Sequence, residues 1–381
     1  MEYDEIESYI ENVAANFGDA DVWNCEPVIP PINVSNIFYY KSGYKLKDGT
    51  KLIYSRQGNP SQFPVERVLA KLEGGTEAMV FTSGMAAITT VLETMGKDDE
   101  LVISEHVYWP VRHWLESLRE RHLFSVKWVP ETSVESYRRA ITPSTTMVWL
   151  ECPTNPDLRI VNIPEIAGLM PDAAMLVVDS TCATPVLLRP LTLGADLVIH
   201  SASKCLGGHN DLLGGCIICR DDDTKTWEGV RSLRWNQGNS LGAFDCYLLQ
   251  RSLATLPIRV ARSTSSALHI AHGLSEHPAV KAVNYPGLDS HPDKEIADRL
   301  FANGYGFLIG VTLNGGADVC HAVCRDTKMW RNATGFGSVM SLIEHRYEAE
   351  YKLRQSQGDY IRLSVGLERP EHLLDDLLSC L

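Results

Sequence analysis

The sequence predicts an α/β protein with a mostly parallel sheet that carries helices on both faces, followed by a smaller C-terminal α+β domain. Seven short, mostly apolar runs between residues 77 and 219 each suit a strand, and most are separated by enough chain for a helix. Strands that are apolar throughout are typical of parallel sheets buried on both faces. After residue 245 the pattern changes to long helical segments with a few strands, which indicates the second domain.

The first elements in chain order are an arm and a strand between two helices. Residues 1–55 show little periodicity beyond a short acidic helix, and their Pro-rich stretch EPVIPPINVSNIFYY is long for a loop within a compact domain. We therefore expect residues 1–55 to pack on a neighbouring subunit. PVERVLAKLEG predicts a helix that ends at Gly74 and Gly75, AMVFTSG a strand and MAAITTVLETM the next helix.

The later strands of the first domain are ELVISE, FSVKWV, TMVWLE, AMLVVDS, DLVIHS and GGCIIC, which assigns residues 56–245 to that domain. The stretch CYLLQRSLATLPIRVARSTSSALHIAHGLSEH then predicts a long helix with a kink at Pro257. GFLIGVTL and YIRLSVGLE predict strands, and ADVCHAVCRD and EHLLDDLLSCL predict helices. These elements form the smaller domain, residues 246–381.

Charge and cysteine usage exclude several classes of protein. The formal net charge of −13 opposes nucleic acid or an anionic membrane as the main partner. The N-terminus MEYDEIESYI lacks the order of a signal peptide, and no apolar run approaches the ~18–20 residues of a membrane span. The ten cysteines are scattered through apolar segments, which favours free thiols in the cytoplasm. Cys216 and Cys219, like Cys320 and Cys324, are interpreted as core residues, and no metal site is predicted.

Polar residues directly after the strands are the candidate site, because ligands of parallel sheets bind at the carboxyl ends of the strands. Gly84 and Met85 open a helix, whose N–H groups either form an ordinary cap or bind an anion. Ser201 and Ser203 add hydroxyl donors for such an anion. Asp179 ends an apolar strand, where it either caps a helix or pairs with a protonated ring nitrogen.

Lys204 directly follows the apolar run LVIH and two serines, which is an unusual place for a solvated lysine. A partly desolvated amine has a lowered pKa and is nucleophilic, as a Schiff base with an aldehyde cofactor requires. An anion site, a carboxylate for a ring nitrogen and this amine together indicate pyridoxal 5'-phosphate. Lys204 would hold its C4′ atom, and Asp179 its pyridine nitrogen.

These residues lie in VVDSTCATPVLLRPLTLGADLVIHSASKCLGGHND, which resembles the lysine signature of the Cys/Met-metabolism family of pyridoxal-phosphate enzymes. That family includes cystathionine γ-synthase, cystathionine γ-lyase, cystathionine β-lyase and methionine γ-lyase. The resemblance covers nearly the whole chain, with further similar stretches in YSRQGNP, LEGGTEAMVFTSGMAA, ECPTNPDLRI, NYPGLDSHP and YIRLSVGLE. It implies the fold-type I architecture of pyridoxal-phosphate transferases.

The resemblance also implies roles for single residues. Lys204 would carry the cofactor and move protons, Tyr108 would stack on the ring and act in proton transfer, and Arg362 would clamp the substrate α-carboxylate. Read without the family, Tyr54 and Tyr108 would be interface or core aromatics, and Arg362 a strand-edge arginine. The remaining implied contacts are Asp179 with the pyridine nitrogen, Asn155 with the ring's phenolic oxygen and the substrate, Gly84, Met85, Ser201 and Ser203 with the phosphate, and Tyr54 and Arg56 with the phosphate of a neighbouring subunit.

Two stretches depart from the family pattern. Where most members have S-[LFW]-G-G-x-E-S, residues 334–341 read TGFGSVMS, so that Gly335 replaces the Ser and Met340 the Glu. Thr334 stands where γ enzymes that act on cystathionine commonly place a Glu, which puts cystathionine in doubt as the substrate. VYWPVRHW around Tyr108 is closer to the β-lyase form, whereas TNPDLRI and GHNDLLGGC are closer to γ-synthases.

The resemblance implies a cytoplasmic enzyme acting on the side chain of an α-amino acid, as a dimer with shared active sites, usually within a tetramer. We predict γ-replacement or γ-elimination on a homoserine-type or sulfur-containing amino acid, with a non-standard substrate. The alternative is β-elimination of a cystathionine-like thioether. Intact Lys204, Asp179 and Arg362 disfavour a non-catalytic cofactor-binding relative, and the lack of GxGxxG after the first strand disfavours a dinucleotide-dependent dehydrogenase.

Overall fold

The computed structural model describes residues 27–40, 45, 46, 49, 51–119, 124–130, 132–346 and 358–381. The short acidic helix predicted near the N-terminus lies outside these residues. Within them, no helix is both long enough and apolar enough to cross a bilayer.

The predicted parallel sheet is confirmed as a seven-stranded sheet with the order β1-β7-β6-β5-β4-β2-β3. Strands β2 to β6 run parallel to one another, and β7 runs antiparallel to both of its neighbours. The strands are β1 (Glu77–Phe81), β2 (Glu100–Ser104), β3 (Ser125–Val129), β4 (Met147–Glu151), β5 (Met175–Asp179), β6 (Leu197–His200) and β7 (Gly215–Cys219).

Helices cover both faces of this sheet, which explains why its strands are apolar throughout. Leu176 and Val178 of β5 belong to one buried cluster, whereas Val177 between them belongs to the cluster on the other face. The helices are α1 (Gln62–Glu73), α2 (Gly84–Leu92), α3 (Trp109–Arg119), α4 (Val134–Ala140), α5 (Ile163–Ala167), α6 (Thr184–Leu187) and α7 (Lys225–Gln237).

The predicted long helix is two helices, α8 (Ala243–Leu253) and α9 (Leu256–Ser275). The prediction of one helix kinked at Pro257 is therefore wrong. Proline has no N–H to donate and is tolerated in the first turn of a helix, and Pro257 occupies that position in α9. Ala254 and Thr255 separate the two helices.

A second, five-stranded sheet follows, with the order β10-β11-β12-β9-β8. Only β10 and β11 are parallel, and the other neighbours are antiparallel. Helices α9, α11 and α12 contribute to its buried cluster. The elements are β8 (Val280–Asn284), α10 (Lys294–Leu300), β9 (Leu308–Leu313), α11 (Gly316–Asp326), β10 (Arg331–Asn332), β11 (Leu342–His345), β12 (Tyr360–Ser364) and α12 (Pro370–Leu378).

The division into domains at residue 245 stays a prediction, and this residue lies in the first turn of α8.

The cysteines with CxxC-like spacing are buried, as the interpretation of core packing expects. Cys216 and Cys219 are buried in β7, and Cys320 and Cys324 are buried in α11.

The described part of the N-terminal arm carries an unusually apolar surface. Six of its large apolar side chains are between 56% and 85% exposed: Val28, Ile29, Val34, Ile37, Tyr39 and Tyr40. Several exposed apolar side chains within one short segment are typical of a surface that another chain covers.

Candidate active site

The site lies at the carboxyl ends of the parallel strands. Glu151 ends β4 and Asp179 ends β5, and the two residues are paired in the sheet register. Ser201 follows β6, the next strand along. Because neighbouring parallel strands end at the same edge of a sheet, these side chains and Lys204 are brought together from different parts of the chain.

An anion cradle forms between the start of α2 and the turn after β6. The Ser83 hydroxyl caps the helix by accepting the Ala86 N–H at 3.0 Å. The first-turn N–H groups of Gly84 and Met85 have no acceptor within the helix and lie at its positive end. A Cβ atom on Gly84 would lie 2.8 Å from the Ser201 Cβ, so only glycine allows Ser201 to approach this closely.

The Ser203 hydroxyl is hydrogen-bonded to the loop that precedes β7. It donates to the Gly214 carbonyl at 3.1 Å and accepts the Gly214 N–H at 2.9 Å. The Ser203 hydroxyl thus donates its proton to the Gly214 carbonyl, whereas a phosphate contact would need the same proton. A phosphate contact from Ser203 stays a prediction and requires its hydroxyl to leave Gly214.

Asp179 is buried and held by a residue that the sequence reasoning missed. Thr181 donates its N–H and its hydroxyl to Asp179 Oδ1, at 3.0 and 2.6 Å, and its hydroxyl accepts the Ser201 N–H at 2.9 Å. Burial raises the pKa of Asp179, and the Thr181 hydrogen bonds oppose this shift. Thr181 therefore links the carboxylate to the anion cradle. Its position two residues after Asp179, in the stretch VVDST, was the sequence signal for this role.

Lys204 lies beside an aromatic ring and an arginine. Its Nζ atom is 5.2 Å from the centre of the Phe336 ring, and the Arg362 guanidinium lies 5.3 Å from the same centre. Burial lowers the pKa of the Lys204 amine, and the charge of Arg362 lowers it further. The predicted weakly basic amine is what this environment produces.

Glu151, which the sequence analysis did not single out, fixes two predicted residues at once. Its two carboxylate oxygens accept the backbone N–H groups of Tyr108 and Asn155, both at 2.8 Å. A buried carboxylate at the end of an apolar strand was the signal, as it was for Asp179. Burial raises the pKa of the Tyr108 phenol.

Arg362 joins the two sheets. Its Nη1 donates to Asn155 Oδ1 at 2.7 Å, and its Nη2 donates to the Gly335 carbonyl at 2.8 Å and to Glu344 Oε2 at 2.6 Å. The side chain is 2% exposed, and its Nε has no acceptor within the described residues. Because the side-chain oxygen of Asn155 accepts from Arg362, the amide N–H groups of Asn155 point elsewhere and can donate to an oxygen, such as the predicted phenolic oxygen of the cofactor ring.

Tyr54 and Arg56 lie on the surface of their own chain. The Arg56 guanidinium is 5.4 Å from the Tyr54 ring centre and donates to the Trp235 carbonyl at 3.2 Å. Tyr54 is 41% exposed. Their contact with a neighbouring subunit's phosphate stays a prediction.

The loop 334–341, which departs from the family pattern, packs on the turn that carries Lys204. Val339 donates its N–H to the Gly208 carbonyl at 2.9 Å, and a Cβ atom on Gly337 would lie 2.7 Å from the Cys205 Cβ. Gly335 has φ of +109°, which an L side chain rarely adopts. A serine at this position would require the loop to change its backbone conformation.

Arg259 of α9 holds the far side of the same turn. This buried guanidinium donates to the carbonyl oxygens of Cys205, Leu206 and Ser252, at 2.7, 3.3 and 2.9 Å. We expect Arg259→Met to lower the free energy of unfolding by about 2–4 kcal/mol, because the buried guanidinium no longer donates to the carbonyl oxygens of Cys205 and Leu206, and Ser252 loses one of its donors. Urea unfolding of the apo-protein measures this change.

The control is Arg262→Met on the same helix, because Arg262 is exposed. That variant is expected to stay within about 0.5 kcal/mol of the parent. Equal losses in the two variants would contradict a specific role for Arg259 in supporting the turn.

The donor set fits one kind of cofactor. A positive helix end and the Ser201 hydroxyl suit a phosphate, buried Asp179 suits a protonated ring nitrogen, and Lys204 suits an aldehyde. Together with the mostly parallel sheet, these residues define the site of a pyridoxal-phosphate-dependent enzyme.

Comparisons with known proteins agree with this class. The family model for Cys/Met metabolism PLP-dependent enzymes matches residues 12–381. The chain belongs to this family. Membership confirms the predicted family, enzyme class and cofactor, and it fits pyridoxal-phosphate-dependent γ-replacement or β-elimination.

The similar proteins include both β-lyases and γ-synthases. The chain is 36% identical to a cystathionine beta-lyase of Coxiella burnetii, over 93% of each protein. It is 37% identical to a cystathionine gamma-synthase of Mycobacterium bovis, over 92% of this chain and 91% of the relative.

Solved structures are similarly close. The crystal structure of metB from Corynebacterium glutamicum has a TM-score of 0.90 at 31% identity and covers 97% of both chains. Cystathionine gamma synthase from Xanthomonas oryzae pv. oryzae, in complex with aminoacrylate and cysteine, has a TM-score of 0.89 at 31% identity, over 97% of this chain and 98% of that one.

Proposed function

We propose that this enzyme catalyses γ-replacement or γ-elimination on a homoserine-type or sulfur-containing α-amino acid. The observation that carries the proposal is the position of the Lys204 amine and the Arg362 guanidinium around the same Phe336 ring. This arrangement suits an α-amino acid whose carboxylate binds Arg362 while its Cα lies near the Lys204 amine. The γ assignment is supported by TNPDLRI and GHNDLLGGC and by the similarity to a cystathionine gamma synthase.

Each residue then has a defined task. Pyridoxal phosphate, when bound, supplies an electron sink for negative charge that develops at the substrate Cα. Arg362 orients the α-carboxylate, and Asp179 keeps the proton on the ring nitrogen. The Lys204 amine, with its lowered pKa, takes the proton from Cα and, in γ chemistry, also moves the proton at Cβ. Tyr108 holds its proton near the reacting atoms.

The proposed assembly is a homo-oligomer in which Tyr54 and Arg56 enter the site of a neighbouring subunit. The exposed apolar side chains of residues 28–40 support this arrangement, because contact with a second copy would bury them. The cytoplasmic location stays a prediction.

The second candidate function is β-elimination of a thioether amino acid. VYWPVRHW around Tyr108 and the 36% identity to a cystathionine beta-lyase favour it. In the loop that departs from the family pattern, Thr334 provides no carboxylate for the distal ammonium of cystathionine. Substrates without that ammonium are therefore the first choice in either case.

A substrate panel separates these functions. Homoserine esters with and without a thiol, cystathionine and an S-substituted cysteine are supplied to the holoenzyme, and keto acid, ammonia, free thiol and substitution product are measured separately. We expect turnover of the homoserine esters, with cystathionine the poorer substrate. Reaction of β-substituted amino acids alone would assign the enzyme to β-elimination.

A further inference from the structure

Glu344 is a buried carboxylate shared by two arginines in the candidate site. Its Oε2 atom accepts from Arg362 Nη2 at 2.6 Å and from Arg346 Nη1 at 3.0 Å. The side chains of Glu344, Arg362 and Arg346 are 11%, 2% and 6% exposed. The sequence does not show that the three residues form a cluster, because Arg362 reaches Glu344 from another strand.

The strand geometry explains this grouping. Glu344 of β11 is directly opposite Arg362 of β12 in the antiparallel register. Arg346 lies just beyond the end of β11, and its Nη1 donates to Glu344 Oε2. Glu344 and Arg362 lie on the face of the small sheet that meets Asn155 of the large sheet.

The substrate α-carboxylate and Glu344 compete for the same arginine. A planar guanidinium binds a carboxylate through two parallel N–H donors. Glu344, however, already occupies Arg362 Nη2, a donor that a bidentate carboxylate contact uses. Two carboxylates on one guanidinium repel each other unless a second cation balances one of them.

We propose that Glu344 is the resident counter-ion of Arg362, and that Arg346 retains Glu344 when the substrate α-carboxylate binds Arg362. Arg346 is thus a positioning residue that sets the affinity for the α-carboxylate without touching it. The inference rests on the proposed role of Arg362. Burial lowers the pKa of the Lys204 amine, the charges of Arg362 and Arg346 lower it further and the charge of Glu344 raises it, which agrees with the place of all three residues beside the site.

The test compares alanine with ethylamine, which differ by the carboxylate alone and carry no leaving group. Their dissociation constants for the holoenzyme are measured from the change in the visible absorption of the bound cofactor. We expect Arg346→Met to weaken alanine binding by about tenfold or more, because Glu344 then stays on Arg362. Ethylamine binding is expected to be unchanged.

Charge removal at position 344 should reverse this effect. The double variant Arg346→Met/Glu344→Gln is expected to bind alanine within about threefold of the parent, since no carboxylate then competes for Arg362. Arg346→Lys, which keeps the charge, should lose less affinity than Arg346→Met. The matched control is Arg331→Met, an exposed arginine on β10, with unchanged affinities.

Several outcomes would overturn the inference. They are equal losses of alanine and ethylamine binding in Arg346→Met, no loss at all, or a double variant that remains as weak as Arg346→Met. If Arg346→Met does not fold, Glu344→Gln alone decides, because it should strengthen alanine binding and leave ethylamine unchanged. Arg362→Leu distinguishes the two proposals: unchanged alanine binding in that variant contradicts the proposed function itself.

Discussion

Replacement of Lys204 by alanine is expected to abolish the visible absorption band of the covalently bound cofactor and to lower kcat/KM by at least about 10³-fold. The amine of Lys204 is the nucleophile that attaches the cofactor and the base that moves substrate protons in the proposed function. Absorption spectroscopy and steady-state kinetics measure the two losses.

The pH dependence of cofactor attachment is a second test of the Lys204 amine. Burial and Arg362 lower the pKa of Lys204, so its reactive neutral form predominates from a lower pH than it would for an ordinary lysine. The rate at which the apo-protein takes up pyridoxal phosphate should therefore rise with pH and level off below the usual pKa of a lysine.

The control for Lys204→Ala is Lys97→Ala, because Lys97 is an exposed lysine in the turn between α2 and β2. It should keep the absorption band and the activity of the parent. A Lys204→Ala protein that still shows the band, or that still turns over its substrate at the parental rate, would contradict the assignment.

Replacement of Arg362 by leucine is expected to lower kcat/KM by about 10²–10³-fold, mainly through a higher KM. The guanidinium that orients the α-carboxylate is lost, while Lys204 and Asp179 remain in place. Ethylamine, which has no carboxylate, should bind the variant about as well as the parent. Kinetics with the best substrate of the panel and absorption titration measure these changes.

Arg362→Leu also removes a structural contact, and a second variant separates the two effects. Asn155 Oδ1 and the Gly335 carbonyl lose a donor, so the thermal midpoint should fall. Arg362→Lys keeps the charge but not the planar pair of donors, and it should recover part of the stability and only a small part of the affinity. Full activity in Arg362→Lys would argue against bidentate binding of the carboxylate.

Much of the large domain could be predicted because its signals are local. The apolar runs that became β1, β2 and β4 to β7 are almost entirely buried, whereas the edge strand β3 is partly exposed. A buried strand permits few polar residues. The polar residues that interrupt the pattern, Asp179 and Lys204, stand at strand ends, where the edge of a parallel sheet forms its site. The site residues singled out in the sequence are of this kind or belong to the family motifs.

The errors and omissions have different origins. The contact of the Ser203 hydroxyl with Gly214 joins residues eleven positions apart, and the phosphate contact of Ser203 stays a prediction. The helix break before Pro257 is a local feature that the helical periodicity on either side does not show. Strand β10 has two residues, too few for any pattern.

The sequence by itself determined the α/β architecture and the cofactor, and it predicted Lys204 as the lysine that carries the cofactor. The signals for these conclusions, which are buried strands, turn residues and family motifs, each extend over a few residues. Only the tertiary structure decided which groups hold the predicted site residues. Thr181 joins Asp179 to the cradle, Glu151 fixes Tyr108 and Asn155, and Glu344 pairs with Arg362. Such pairs form when separate strands and loops converge, and hydrogen-bond geometry in the packed state selects them.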